Sequence, residues 1–484
     1  MNTGLPENRV QFYTENEDLQ RLYDRLLEKC AGNLADFGGD RVLVEGGGYQ
    51  KIWLETQPMG GENFAAWDQT AALNNQELFM RHQRADGRLP GSIACGADGK
   101  VIPQYDKFQG FCFPEPALNM YYLTGRDEGY LRRLENCLRR MDAYLWQWRD
   151  SNGDGILESF CVYDTGEDAA LRYGDAPNYW TEDGAPAEFA SVPLGSMDVT
   201  SWSCAARETL ADIHAILGTG EADSWRQRAE QVRRRIREKL WDEEIGACFD
   251  LGPDGKRKPE LIHNTLRCMY WGSLSPDMAE AFVKKHLLNP REFWTRMPLP
   301  SVAVSDPLFR NAPENNWSGQ SEGLTWQRAI PALERYGYEK IVTRMAGIFL
   351  EAMKENGYRF VQQYDPLTGK ASLVRSDTHK AVGPEDTGEV QDGYGPTMLA
   401  CLTMMAHTTG VDLKRGQVWY SAVRGTPFTW ERAWDQHRYR AESDGSRFRC
   451  MADGRVIAEE DCGKRVIADE RGRILRVLEI EPIK

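Results

Sequence analysis

Histidine is scarce in this sequence. Seven occur among 484 residues, and they are scattered: His82, His214, His263, His286, His379, His407 and His437. There is no HExxH and no CxxC, so no zinc site of familiar spacing is present. Cysteine is modest and odd in number, at eleven. Cys30, Cys137, Cys204, Cys268 and Cys401 lie among apolar helical neighbours and read as small buried thiols. No window approaches the roughly 20 apolar residues of a membrane-spanning helix. The opening MNTGLPENRVQFY has no basic start followed by an apolar run, so no signal peptide is visible. These absences lead to the expectation of a cytoplasmic protein without disulfides. Basic charge is also short: 59 Lys and Arg face 73 Asp and Glu, for a net −14. That balance argues against nucleic-acid and membrane partners.

What is abundant is aromatic surface, with 15 Trp, 19 Tyr and 17 Phe. Apolar residues recur at helical spacing over 18–34, 68–83, 116–123, 128–148, 200–217 and 221–241. The same spacing returns over 261–271, 276–288, 320–336, 338–356 and 394–408. Eleven helices are one short of the twelve that make an (α/α)6 barrel. The expected class is therefore all-α, an (α/α)6 barrel with a small C-terminal β appendage. Short strands are predicted at 417–421, 428–432, 437–441, 447–451, 465–468 and 474–480, separated by turns such as Asp444-Gly445 and Asp453-Gly454. The divisions expected are 1–40 (N-terminal extension and first helix), 41–412 (barrel) and 413–484 (β-rich appendage).

Four segments have residues suited to sugar chemistry. Pro58 to Asp68 offers two glycines, the flat face of Trp67 and the paired oxygens of Asp68, which also suits an N-cap. Leu194 to Trp202 places Asp198 at a loop-to-helix junction. Glu314 to Gln320, followed by Glu322 and Trp326, gathers Asn316, Trp317 and Gln320 in a stretch suited to polyols. Gln362 to Gly369 contains Tyr364 and the turn Asp365-Pro366-Leu367-Thr368-Gly369. The stretch after it, Gly383 to Gly395, is punctuated by glycine and carries Glu385, Glu389 and Gln391.

In order along the chain, these segments resemble the glycoside hydrolases of clan G: the trehalases, family 63 α-glucosidases and mannosylglycerate hydrolases. Pro58 to Asp68 resembles the trehalase stretch PGGRFxExYxWDSY, and Ser196 to Ser201 resembles SGWDFSSRW, which holds the general acid. Asn316-Trp317 is similar in place to QWDxPxxW, Gln363-Tyr364-Asp365 to EKYD, and Gly388 to Gly395 to GGGEYxxQxGFGW. The likeness covers roughly residues 40–410. The departures are specific. Trp202 stands where trehalases carry Arg, and Gln362 or Gln363 replaces the EKYD glutamate. The last motif is one residue shorter, so Glu385 is an alternative to Glu389. On these grounds trehalose is not the expected substrate.

The resemblance implies an inverting O-glycosidase acting on a small α-glycoside or oligosaccharide. Inversion needs two carboxyl groups roughly 6.5–9.5 Å apart, one protonating the leaving oxygen and one activating water. Asp198 would be the acid and Glu389 the base. Trp67, Asp68, Asn316, Trp317, Gln320, Tyr364 and Gln391 would hold the sugar. Asp150, Asn152, Asp154 and Glu158 follow part of a calcium-loop spacing, but Cys161 stands at position 12. A structural Ca2+ is the only ion implied, and the chemistry needs no cofactor. The alternatives are a sugar epimerase or isomerase of the same fold, which would draw on His263 and His379, and a non-catalytic glycan-binding protein.

Overall fold

The computed structural model describes residues 9–374 and 391–481. The twelve α-helices among the described residues alternate in character. The odd-numbered ones bury one stripe: α1 (Glu17–Gly32), α3 (Gln69–Arg81), α5 (Glu128–Trp148), α7 (Ala222–Arg235), α9 (Pro276–Phe282) and α11 (Glu339–Glu355). In α1 the buried set is Leu22, Tyr23, Leu26, Leu27 and Cys30, which is the spacing of one helical face. The even-numbered ones are buried on nearly all sides: α2 (Gln57–Phe64), α4 (Pro114–Leu123), α6 (Met197–Leu217), α8 (Asn264–Tyr270), α10 (Gly323–Arg335) and α12 (Gly395–Thr409). Each even helix packs against the next, and α12 packs back against α2. The odd helices form a second layer, with α5 on α4 and α6, α7 on α6, and α11 on α10 and α12.

The helix that periodicity does not reveal is α2. Its sequence, Gln57-Pro-Met-Gly-Gly-Glu-Asn-Phe64, reads as a glycine loop, yet it is helical with proline at its start, where no donor is lost. Gly61 serves close helix packing here. A Cβ at Gly61 would stand 2.9 Å from Cβ of Asn75 and 3.1 Å from the carbonyl oxygen of Ala72, both in α3.

The chain passes from α12 into β structure without a linker, at Gly410. The first strand, β1 (Val10–Tyr13), comes from the N-terminus. The others are β2 (Gly410–Lys414), β3 (Gln417–Ala422), β4 (Pro427–Trp434), β5 (His437–Asp444), β6 (Arg447–Ala452), β7 (Arg455–Asp461), β8 (Lys464–Asp469) and β9 (Ile474–Glu479). They form two antiparallel sheets, ordered β1-β4-β5-β6-β7 and β2-β3-β8-β9. β1 pairs Phe12 with Trp430, so the N-terminal segment belongs to a C-terminal sheet. Ion pairs tie this unit to the helices: Arg465 reaches Glu334 of α10 at 2.8 Å, and Lys414 bonds the same carboxylate. All eleven cysteines are free. Among the described residues, no helix is long and apolar enough to cross a membrane.

Filling the α2–α3 contact tests this packing. Gly61→Val is expected to lower unfolding free energy by about 1–3 kcal/mol. Gly32→Ala, at the end of α1 with nothing within 4 Å of its added Cβ, is expected to be neutral or stabilising. Equal denaturant midpoints for the two variants would contradict the close contact.

Candidate active site

The N-terminal ends of the inner helices converge on a cavity of about 280 Å3. Its walls are aromatic, with Tyr49, Trp53, Tyr163, Tyr179, Trp317 and Tyr394, and Glu45, Glu55 and Asp168 carry carboxylates into it. Glycines permit the arrangement at two points. Gly46 has φ 74°, and a Cβ there would lie 2.4 Å from the carbonyl oxygen of Gly393, so the loop bearing Glu45 lies directly on the chain entering α12. Gly166, at φ 72°, faces Glu55 so closely that a Cβ would overlap its carboxylate, 2.1 Å from Oε2.

Glu55 is two residues before α2 and almost fully buried. Arg328 of α10 donates to its Oε2 at 2.9 Å, and Gln109 Nε2 donates to Oε1 at 3.2 Å. Gln109 adopts φ 57°, a strained value for a side-chain-bearing residue. The backbone on either side fixes it there: the Gln109 N–H donates to Tyr163 O at 3.0 Å, and that of Gly110 to Asp164 O at 2.8 Å. Glu45 accepts from the Tyr394 hydroxyl at 3.1 Å. Glu322, the residue before α10, is fully buried, and neither of its carboxylate oxygens has a protein hydrogen-bond partner.

Burial raises all four carboxyl pKa values, and neighbouring carboxylates add to the rise at Glu45, Asp168 and Glu322. Glu45 is pushed well up by burial and by Glu55. Glu322 is pushed well up by burial, Asp168 and Glu55. Glu55 is raised by burial, against the pull of Arg328 and Arg267. Asp168 is half-buried and raised to about 7 by burial and Glu55, with Lys107 and Gln109 opposing. Lys51 and the buried Lys107 lie 5.2 and 5.6 Å over the Trp53 ring. Burial and Lys107 lower the Lys51 pKa.

Asp198 lies one layer beneath this cavity and does not line it. It is in the first turn of α6 with no solvent exposure, and its Oδ2 accepts from Arg267 at 2.5 Å and from Asn264 at 3.1 Å. Arg267 also reaches Glu167 at 3.0 Å, while Arg172 pairs with both Glu167 and Asp250. Three buried carboxylates thus share two guanidinium groups. Arg172 and Arg267 hold Glu167 down against the effect of burial. Burial raises Asp198, with Arg267 opposing and Glu167 adding to the rise. Oδ1 of Asp198 has no protein hydrogen-bond partner. The Trp317 ring separates this layer from the cavity, 5.8 Å from the guanidinium carbon of Arg267 and 5.8 Å from the His263 ring. Burial lowers the His263 pKa to about 3, which leaves the imidazole neutral.

Trp317 is a cavity wall. Gln391 is buried, and its side chain meets Tyr49 of the same cavity. Trp67 and Asp68 are elsewhere: Asp68 caps α3 through the Ala71 N–H at 2.9 Å and pairs with Arg41, and Trp67 stacks on Phe64. Neither lines this cavity, because both close the joint between α2 and α3. Tyr364 is also in the core, donating to Arg359 O at 2.8 Å. Its neighbour Gln362 lines the cavity in its stead, accepting from the Tyr49 hydroxyl at 3.1 Å. Gln320 is buried against Asn311 and Ser372. Glu385, Glu389 and His379 lie outside the described residues, as does the side chain of Asn316.

The loop proposed for calcium turns its oxygens onto its own backbone. Asp150 accepts from the Gly155 N–H at 3.0 Å, Asn152 from that of Asp154 at 2.9 Å, and Asp154 from that of Ile156 at 2.8 Å. Glu158 accepts from the Ser151 N–H at 2.9 Å. The Asn152 and Asp154 contacts are Asx-type turns. Among the described residues, no three His, Cys, Asp or Glu side chains gather as metal ligands.

Residues 62–381 match the model of the mannosylglycerate hydrolase MGH1-like glycoside hydrolase domain. The chain belongs to that family. A probable trehalase of Eremothecium gossypii is 23% identical over 333 residues, 60% of this chain. The match spans 41% of that relative's length. Among solved structures, the GH63 mannosylglycerate hydrolase of Thermus thermophilus in complex with Tris aligns at a TM-score of 0.60 and 18% identity. It covers 79% of this chain and 99% of its own. A sialidase aligns at 0.69 and 13% identity over 95% of this chain and 41% of its own. At these identities the structural matches establish a shared fold. The matched stretch begins in the last turn of α2, and so includes the Asp168 and Trp317 sides of the cavity but not Glu45 or Glu55.

The raised Asp168 pKa makes a stability prediction. Between about pH 4 and 7 the folded chain retains a proton that the unfolded chain has lost, so stability falls as pH rises across that window. Asp168→Asn should flatten this part of the decline in pH-dependent denaturation. An unaltered slope would count against the raised value.

Proposed function

We propose that this glycoside hydrolase domain is an inverting O-glycosidase on an (α/α)6 barrel, acting on a small α-glycoside or oligosaccharide by general acid and general base catalysis. The observation that carries the reading is the cavity itself: aromatic walls around carboxyl groups whose pKa values are raised. Aromatic faces suit the apolar face of a sugar ring. A general acid must keep its proton near the working pH, and a desolvated carboxyl group does so.

Asp168 best fits the acid. It opens into the cavity, and burial with the neighbouring Glu55 charge raises it to about 7. Glu389 is proposed as the base from its motif, with Glu385 the alternative. Asp198 remains a second reading for the acid. Its unpartnered Oδ1 and raised pKa favour it, but the Trp317 and Arg267 layer would have to open. Glucose-, mannose- and glycerate-bearing α-glycosides are sensible first substrates, given the proteins this chain resembles. The neutral, buried His263 gives little support to an epimerase.

The test compares two variants on a panel of α-glycosides. Asp168→Asn is expected to lower kcat by roughly 10²–10⁴-fold, the usual worth of a general acid, with the fold intact. Near-normal turnover in Asp168→Asn together with loss in Asp198→Asn would transfer the role to Asp198. Proton NMR of the first-formed product should show the inverted anomer; the retained anomer would reject the mechanism.

A further inference from the structure

A second cavity, of about 320 Å3, lies along the same inner helices, away from the first. The two share no lining residue. Glu55 precedes α2 and Glu62 is in its last turn; Glu322 precedes α10 and Gln327 follows one turn in. Lys414 and Trp419, from the β2–β3 hairpin, complete the wall.

The cations of this cavity are already matched. Arg335 and Arg415 both pair with Glu115, Arg415 reaches Asp212 as well, and Lys414 pairs with Glu334. The spare capacity consists of acceptors. Gln327 is 2% exposed, donates from Nε2 to Asn63 Oδ1 at 2.8 Å, and leaves its own Oε1 with no partner. Asn63 in turn donates to Glu62 Oε2 at 2.7 Å, and Asn119 donates to Glu62 Oε1. No ion pair to Glu62 is found among the described residues. A hydrogen-bond chain therefore runs from Gln327 through Asn63 to Glu62, with an unfilled amide oxygen at one end and a carboxylate bonded by amides at the other. A buried acceptor left unfilled is costly, and a donor-rich ligand removes that cost.

We propose that this cavity is a binding site for a small hydroxylated primary ammonium compound, held by Glu62 and the Gln327 amide oxygen. The ammonium group supplies three donors and a positive charge, which is the complement of what the side chains leave open. Hydroxyls on the same ligand meet the remaining polar wall. The site is independent of the catalytic reading, since it uses none of the residues assigned to hydrolysis.

The probe pair is 2-amino-1,3-propanediol and glycerol, which differ chiefly in carrying an ammonium or a hydroxyl on the central carbon. Isothermal titration of the full chain at pH 7 is expected to show one site that binds the amine at least tenfold more tightly than glycerol. Glu62→Gln and Gln327→Met should each weaken the amine at least tenfold. Asp168→Asn should leave its binding unchanged. Equal binding of the two probes, no binding of either, or amine binding that survives both cavity variants would overturn the proposal. So would loss of binding in Asp168→Asn, which would place the amine in the catalytic cavity. If Glu62→Gln does not fold, Gln327→Met, which keeps side-chain length and removes only the amide, decides the matter alone.

Discussion

Arg328 and Arg267 are the cations on which the helical core closes. Each is almost wholly buried, and each reaches from an inner helix to a carboxylate on another element: Arg328 from α10 to Glu55, Arg267 from α8 to Asp198 and Glu167. A charge removed from water is tolerated only when paired with good geometry and further hydrogen bonds. Arg267 meets that condition with a third contact, to the Thr165 carbonyl oxygen at 3.0 Å. The consequence extends upward. Thr165, Gly166, Glu167 and Asp168 form one continuous strip, so the pairs that anchor Thr165 and Glu167 also place Gly166 against Glu55 and Asp168 in the cavity. The strained backbone at Gln109 belongs to the same assembly, because its amide spans from Glu55 towards Asp168.

The outer helices were legible because each shows a single buried stripe to one side. The inner helices were legible only by their apolar content, and α2 was not, since proline and paired glycines are the usual signs of a loop. The tight approach of α2 to α3 requires those glycines, but nothing in the local sequence announces it. Two strands of the C-terminal sheets were also missed for physical reasons. Gly410 to Lys414 continues directly from apolar α12 with no turn between them. Arg455 to Asp461 is a largely exposed edge strand, whose polar residues hide its pairing.

The site divides in the same way. Trp317 could be placed at a sugar site because an indole in a polar loop stands out. Trp202 and Trp326, which end or follow two of the candidate segments, are core residues, packed on Phe108 and Phe349 respectively. Asp198 attracted notice through its motif, and the fold then sets it behind Trp317. Glu45, Glu55 and Asp168 went unweighed, and Glu322 was noted without a role, because a lone acidic residue carries no signal of its own. Their chemistry comes from being desolvated together, which is a property of the ring of helix ends. The one local hint was the Gly46-Gly47-Gly48 run after Glu45, a run of positive φ values that brings Glu45 and Tyr49 back to the same cavity.

The cavity is electrically graded. Its interior holds carboxyl groups whose pKa values are raised, while Lys51 and Lys107 stand at the Trp53 side. The lysines are themselves kept near one another, for Lys107 helps to lower Lys51, and Asp106 at 2.9 Å compensates Lys107. Lys107 also draws Asp168 down, so the final Asp168 value is a balance between burial with Glu55 on one side and Lys107 with Gln109 on the other. Neutralising Lys107 would move that balance upward, and neutralising Glu55 would move it down. The Asp168 carboxyl is thus tuned by neighbours contributed by the loop before α2 and the segment before α4.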